Sequence, residues 1–126
     1  MLAPMTTYLW DQWTALWNGE LADGARILTD DFRIEFGAAN LADADALRGP
    51  HEFTRFIGEF RARFANLRYR IDAGPFTGDG HVSGRWLADA RDAADGPLRT
   101  VGGIDILLVS GEKISRAWSV TGTRLL

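Results

Sequence analysis

Moving a proton near neutral pH takes a side chain whose pKa its surroundings can shift, and in this 126-residue chain Asp105 is the foremost candidate. It lies in Gly102-Gly103-Ile104-Asp105-Ile106-Leu107-Leu108-Val109, a strand-like run with one carboxylate in its middle. Successive strand side chains alternate faces, so Ile104, Ile106 and Leu108 share one side while Val101, Asp105, Leu107 and Val109 share the other. Both sides are apolar, which predicts a strand covered on both faces and an aspartate withdrawn from water. Ionisation is disfavoured there and the pKa rises, which is one way a general acid or base is made. The same run also reads as a structural aspartate, placed at a bulge after the paired glycines or tied to a backbone amide.

Partners for Asp105 are sought on the strand that begins at His81. One of its faces carries Val82, Gly84, Trp86 and Ala88, the other His81, Ser83, Arg85 and Leu87. If the second face meets a pocket, His81 and Arg85 become polar partners for a substrate; if the first does, Trp86 is a wall. The last strand poses the same choice, Ile114, Arg116, Trp118 and Val120 against Ser115, Ala117, Ser119 and Thr121. Glu35 shares a face with Arg33, opposite Phe32, Ile34 and Phe36, and reads as half of a solvated pair at a strand edge. His51, in the first turn of a helix, reads as exposed, and Arg61, Arg63, Arg68 and Arg70 read as a solvated face.

These residues need helices and strands to position them. Leu9, Trp10, Trp13, Leu16 and Trp17 recur at helical spacing between a Thr6 or Thr7 cap and the stop at Asn18-Gly19. Three tryptophans on one helix supply core area, and Trp13 and Trp17 are candidates to line a pocket. A short second helix is predicted over Glu20 to Leu28, with Leu21, Ala25 and Leu28 inward, then a strand through Phe32, Ile34 and Phe36. Residues 37 to 48 read as a loop able to act as a lid. A third helix opens at Gly49-Pro50, with proline in the first turn where its missing N–H costs nothing, and carries Phe53, Phe56, Ile57, Phe60 and Phe64 on one face. Four strands joined by short turns follow, Leu67 to Asp72, His81 to Ala90, Leu98 to Val109 and Lys113 to Val120, an antiparallel meander.

The whole chain bounds the function. Its length and 46% hydrophobic content fit a single domain, residues 1 to 126, around one core. A formal charge of −3 lacks the basic excess that a nucleic-acid surface needs. With no cysteine there is no disulfide, thiolate metal site or cysteine nucleophile, and the two histidines, 30 positions apart, make no ligand motif. Neither metal nor cofactor is expected. The start of the chain shows no signal peptide and no stretch reaches the roughly 20 apolar residues of a membrane span, so a cytoplasmic protein without a membrane partner is expected.

Helices interrupted by one strand, then a long meander, make an α+β arrangement. With Thr29-Asp30-Asp31-Phe32-Arg33-Ile34-Glu35, Arg48-Gly49-Pro50-His51-Glu52-Phe53, Gly103-Ile104-Asp105-Ile106 and Gly111-Glu112-Lys113-Ile114-Ser115 in this order, the chain resembles the nuclear-transport-factor-like superfamily, in particular SnoaL-like polyketide cyclases and ketosteroid isomerase. The resemblance covers nearly the whole chain. It implies three helices packed in a strongly curved, mixed but mainly antiparallel sheet, a cone-shaped, cystatin-like α+β barrel. It also implies a role for Asp105, as the acid/base of an aldol closure in the cyclases or as a protonated donor to an oxyanion in the isomerase. The isomerase's proton-shuttling aspartate falls at Phe36 and its first-helix tyrosine at Gln12 or beside Trp13, which departs from steroid chemistry. Limonene-epoxide-hydrolase-like members need an Asp-Arg-Asp arrangement, of which Arg85 and Asp105 supply only two parts.

Two functional classes follow. One is a cofactor-free cyclase, isomerase or lyase acting on a small apolar, ring-containing metabolite, with Asp105, His81 and Arg85 catalytic and Trp13, Trp17, Phe36, Phe56, Phe60 and Trp86 around the substrate. The other is a module of the same fold that holds a small ligand, or pairs with another chain, without catalysis. In either case apolar residues on the outer sheet face predict a homodimer through that face.

Overall fold

The computed structural model describes residues 3–37 and 39–122; expectations that touch Met1, Leu2, Ala38 or residues 123–126 lie outside them. Helix α1 spans Ala3–Trp17, so Thr7 sits inside it rather than capping it. Leu9, Trp10, Trp13, Leu16 and Trp17, the stripe at three- and four-residue steps, are all buried. Gly19, at φ +108°, ends the helix in a conformation that a side chain would strain.

The predicted second helix is shorter than expected: a 3₁₀ turn over Leu21–Asp23, then α2 over Gly24–Ile27, with Leu28 already opening strand β1, Leu28–Phe36. Gly24, Ile27 and Leu28 are buried and Ala25 is exposed, because a single turn cannot sustain the inward stripe read from the sequence. Ala39–Ala46, expected as an irregular loop, forms a 3₁₀ helix packed against β1. Helix α3 spans Gly49–Arg61 and buries Phe53 and Ile57. Its proline lies in the first turn, and the Glu52 carboxylate accepts the Arg48 backbone N–H at 3.0 Å.

Strands β2 (Ala65–Gly78), β3 (His81–Arg91), β4 (Arg99–Ser110) and β5 (Lys113–Gly122) form the meander. Strand β2 runs through the Gly74-Pro75 step, which the sequence suggests as its end, with register shifts just before and across it. The sheet order is β1-β5-β4-β3-β2, with β1 parallel to β5 and the other pairs antiparallel. Helix α1 packs on β2 and β3 and α3 on β1, so the sheet wraps around the helices. This is the mixed, mainly antiparallel α+β architecture that the resemblance implied. Phe32, Ile34, Phe53, Ile57, Val82, Leu107, Ile114 and Ala117 close the core around α1. No helix among the described residues is long and apolar enough to cross a membrane.

The inner face of the sheet is the one carrying Val82, Gly84, Trp86 and Ala88 of β3 and Gly103, Asp105 and Leu107 of β4. Strand β5 is not a simple alternation. A register shift between Leu108 and Val109 brings Ile114 and Ala117 to the same side, and from there Ser119 and Thr121 follow inward while Arg116, Trp118 and Val120 turn outward. Contrary to expectation, the outer face is uncovered within this chain, Ile104 being 51% and Val120 59% exposed.

Candidate functional site

Asp105 is 4% exposed at the floor of a hollow between the helices and the sheet. Its Oδ2 accepts the indole N–H of Trp13 at 2.9 Å and its Oδ1 that of Trp86 at 3.0 Å. The Ser119 hydroxyl, directly across the β4–β5 ladder, also donates to the carboxyl. Burial pushes the Asp105 pKa up, while the Ser119, Trp13 and Trp86 hydrogen bonds hold it down; burial is the larger effect. Hydrogen bonds to an ionised group are worth about 1.5–3 kcal/mol each, so these donors keep the charged form within reach despite the dry surroundings. An indole N–H only donates. When Asp105 carries a proton, Ser119 is therefore the one of its three bonded partners able to accept it; otherwise the proton faces the hollow.

Local sequence explains how Trp86 reaches this position. Trp86 pairs with Gly103 across β3 and β4, two residues from the Gly84–Asp105 pair. A Cβ on Gly103 would lie 2.2 Å from Cζ2 of Trp86, so glycine is what allows the indole to lie across β4 with its N–H on Asp105. Gly84 plays the same part behind the carboxyl, where a Cβ would come within 2.6 Å of the Trp10 ring. The paired glycines suggest a bulge from sequence, but β3 and β4 pair without a register shift there, and Gly103 instead makes room for a ring.

The hollow contains about 350 Å³ of empty space counted out to its mouth, of which about 40 Å³ is open to the centre of a water molecule. Trp17, Phe36, Phe56, Phe60, Tyr69 and Trp86 supply its rings, and Asp105, Ser119 and Thr121 its polar atoms. Tyr69 is packed edge-on to Trp86, with ring centroids 5.2 Å apart. Burial and the nearby Asp105 charge push its phenol pKa up, with the Arg61 guanidinium pulling the other way, so it stays a neutral hydrogen-bond donor. Asn18 fixes this part of β2 by accepting the Tyr69 backbone N–H at 2.6 Å and donating to the Tyr69 carbonyl at 2.9 Å. Arg61, read as a solvated surface charge, instead donates to the carbonyls of Trp17 and Leu67 at 2.8 and 2.9 Å, tying the end of α1 to β2.

Of the residues singled out from sequence, Asp105, Trp17, Phe36, Phe56, Phe60 and Trp86 come together. Trp13 stands behind the carboxyl as a donor and is not among the lining residues. His81 and Arg85 do not join Asp105. Both lie on the outer face, because β3 turns its Trp86 face inward and residues of opposite parity cannot reach the same side. His81 Nδ1 sits 2.8 Å from the Asp79 carbonyl and its ring against Trp118, and Arg85 pairs with Asp72. Glu35 pairs with Arg33 and also with Arg116, which lies over the Trp118 ring. His51 is exposed, as expected. Tyr69, Ser119 and Thr121 were missed; their signal was the parity of β2 and β5, legible only once the inward face is known. Among the described residues no three His, Cys, Asp or Glu side chains gather as metal ligands would.

A curved, mainly antiparallel sheet wrapped around helices is the nuclear-transport-factor-like architecture. Within it, the profile of the SnoaL-like domain family matches residues 10–117, and the chain belongs to that family. Solved structures agree on the fold. TsrD from Streptomyces laurentii is 17% identical, with 94% of this chain and 88% of that one covered at a TM-score of 0.76. A SnoaL-like polyketide cyclase from Agrobacterium tumefaciens is 14% identical, with 98% and 92% covered at 0.71. A protein of ketosteroid isomerase-like fold from Catenulispora acidiphila, in complex with trimethylamine, is 17% identical, with 88% and 82% covered at 0.72. No curated protein gives a significant sequence match.

Proposed function

We propose that this chain is a cofactor-independent cyclase, isomerase or lyase in which Asp105 takes a proton from a small, largely apolar substrate and returns it. The observation that carries this reading is the carboxyl itself: desolvated, held by two indole N–H groups and a hydroxyl, and open only toward the hollow. Tyr69 replaces His81 and Arg85 as the polar group facing the ligand, its hydroxyl able to donate to a substrate oxygen. The rings exclude water, which strengthens each of these contacts. The Catenulispora protein of similar fold holds a small organic molecule, trimethylamine.

The test is deuterium incorporation from D₂O into a panel of small carbon acids, ring ketones among them, followed by NMR. Asp105→Asn is expected to lower the exchange catalysed by the wild-type protein by about 10²–10⁴-fold, the worth of a positioned general base. Exchange at wild-type rate in a folded Asp105→Asn protein would remove the residue from the mechanism. One observation favours the second reading, a ligand-holding module: both Asp105 oxygens already accept indole donors, and among the described residues no histidine lines the hollow. Ligand binding without exchange in any panel member is the result that selects it.

We also propose that the outer sheet face pairs with a second copy of the chain. Ile104, Ile106 and Val120 form an exposed apolar strip there, bordered by the Arg85–Asp72 and Arg116–Glu35 pairs. Sedimentation should show a dimer that Val120→Glu converts to monomer; a monomeric wild type at micromolar concentration rejects it.

A further inference from the structure

We propose that the Asp105 hollow selects a ligand carrying a positive charge, a small organic ammonium or iminium ion. The inference rests on reading the hollow as the ligand site and adds the charge of its occupant. Among the described residues, every lining residue apart from Asp105, Ser119 and Thr121 is aromatic, and none is lysine, arginine or histidine. A buried carboxylate is ordinarily paired with a cation, because the isolated charge is costly in a dry site. Here its bonded partners among the described residues are neutral donors. Around that single carboxyl group stand six rings. Aromatic walls with an acidic floor are the surroundings in which an organic cation is held by cation–π attraction and by the carboxylate together.

Among the described residues, the groups facing Asp105 from the surrounding elements supply no positive charge. Strand β2 presents the Tyr69 phenol, whose neutral form is favoured, and β5 presents hydroxyls. The packed faces of α1, α3, β1 and β3 present rings. The Arg61 guanidinium acts on Tyr69, and two of its N–H groups go to the Trp17 and Leu67 carbonyls. Proton transfer follows the same logic. A cationic acid that passes its proton to the Asp105 carboxylate leaves two neutral species in the hollow, whereas a neutral carbon acid leaves an anion among rings with hydroxyls alone to meet it.

The experiment compares choline with 3,3-dimethylbutan-1-ol, its neutral isostere, titrated into the full chain and followed through the indole N–H resonances of Trp13 and Trp86. Choline is expected to bind about tenfold more tightly or better, to shift both resonances, and to weaken as the pH is lowered and Asp105 takes up its proton. Asp105→Asn should abolish the preference while leaving the alcohol's affinity in place. Phe60→Leu, which keeps the carboxyl, should weaken choline more than the alcohol. Equal affinities, or tighter binding of the alcohol, overturn the charge assignment and leave the ligand site standing. Choline binding that leaves both indole resonances unmoved overturns it as well. Failure of both molecules to bind overturns it too, and if Asp105→Asn also keeps full exchange activity the reading of the site falls with it.

Discussion

The two faces of one sheet treat charge in opposite ways. Outside, Arg33, Glu35, Arg116, Arg85 and Asp72 form ion pairs among partly exposed side chains. Inside, Asp105 is held among the described residues by neutral donors and by no cation. In water an ion pair gains little because the solvent already stabilises each charge; in a dry hollow every donor counts and an unmet charge is felt strongly. Chemistry belongs on the inside for that reason, although the outer face holds more ionisable groups of the kinds used by enzymes.

The contrast can be broken at its supports. Gly103→Ala should have the largest effect, since the new Cβ would fall 2.2 Å from the Trp86 ring and 2.6 Å from the Val120 carbonyl oxygen. A loss of about 1–3 kcal/mol is expected in denaturant titration, as for other overpacked sites, together with a displaced Trp86 indole N–H resonance. Unchanged stability and an unmoved resonance would show that the ring does not depend on this glycine.

A pH series sharpens the comparison. The Asp105 pKa in the folded chain lies above its unfolded value, so the folded state binds the extra proton. The stability tied to that proton is full below the unfolded carboxyl pKa of about 3.9 and is lost as pH rises through the folded value. Melting temperatures of wild type relative to Asp105→Asn should therefore fall from pH 4 toward neutrality. A difference that stays flat or rises would mean that the three donors outweigh burial.

The smallest effects belong outside. Arg85→Ala and His81→Ala should leave proton exchange unchanged, and Arg85→Ala should cost about 0–1 kcal/mol, the worth of a surface pair. Loss of exchange in either variant would bring the outer face into the mechanism.

Period and polarity alone revealed much of this molecule: the tryptophan stripe of α1, the phenylalanine face of α3, the four strands of the meander and the aspartate sealed in β4. Each is a local pattern, because a helix or strand repeats its own geometry and burial follows the repeat. Alternation assigns residues to two sets but not to two sides. Only the packing of α1 and α3 onto the sheet decided that Trp86 faces inward and Arg85 outward, and only the register shift at Leu108 and Val109 put Ser119 beside Asp105. Tyr69 and Trp13 came to that carboxyl by the same route, since they lie 36 and 92 residues away in the chain and meet it through tertiary contact alone.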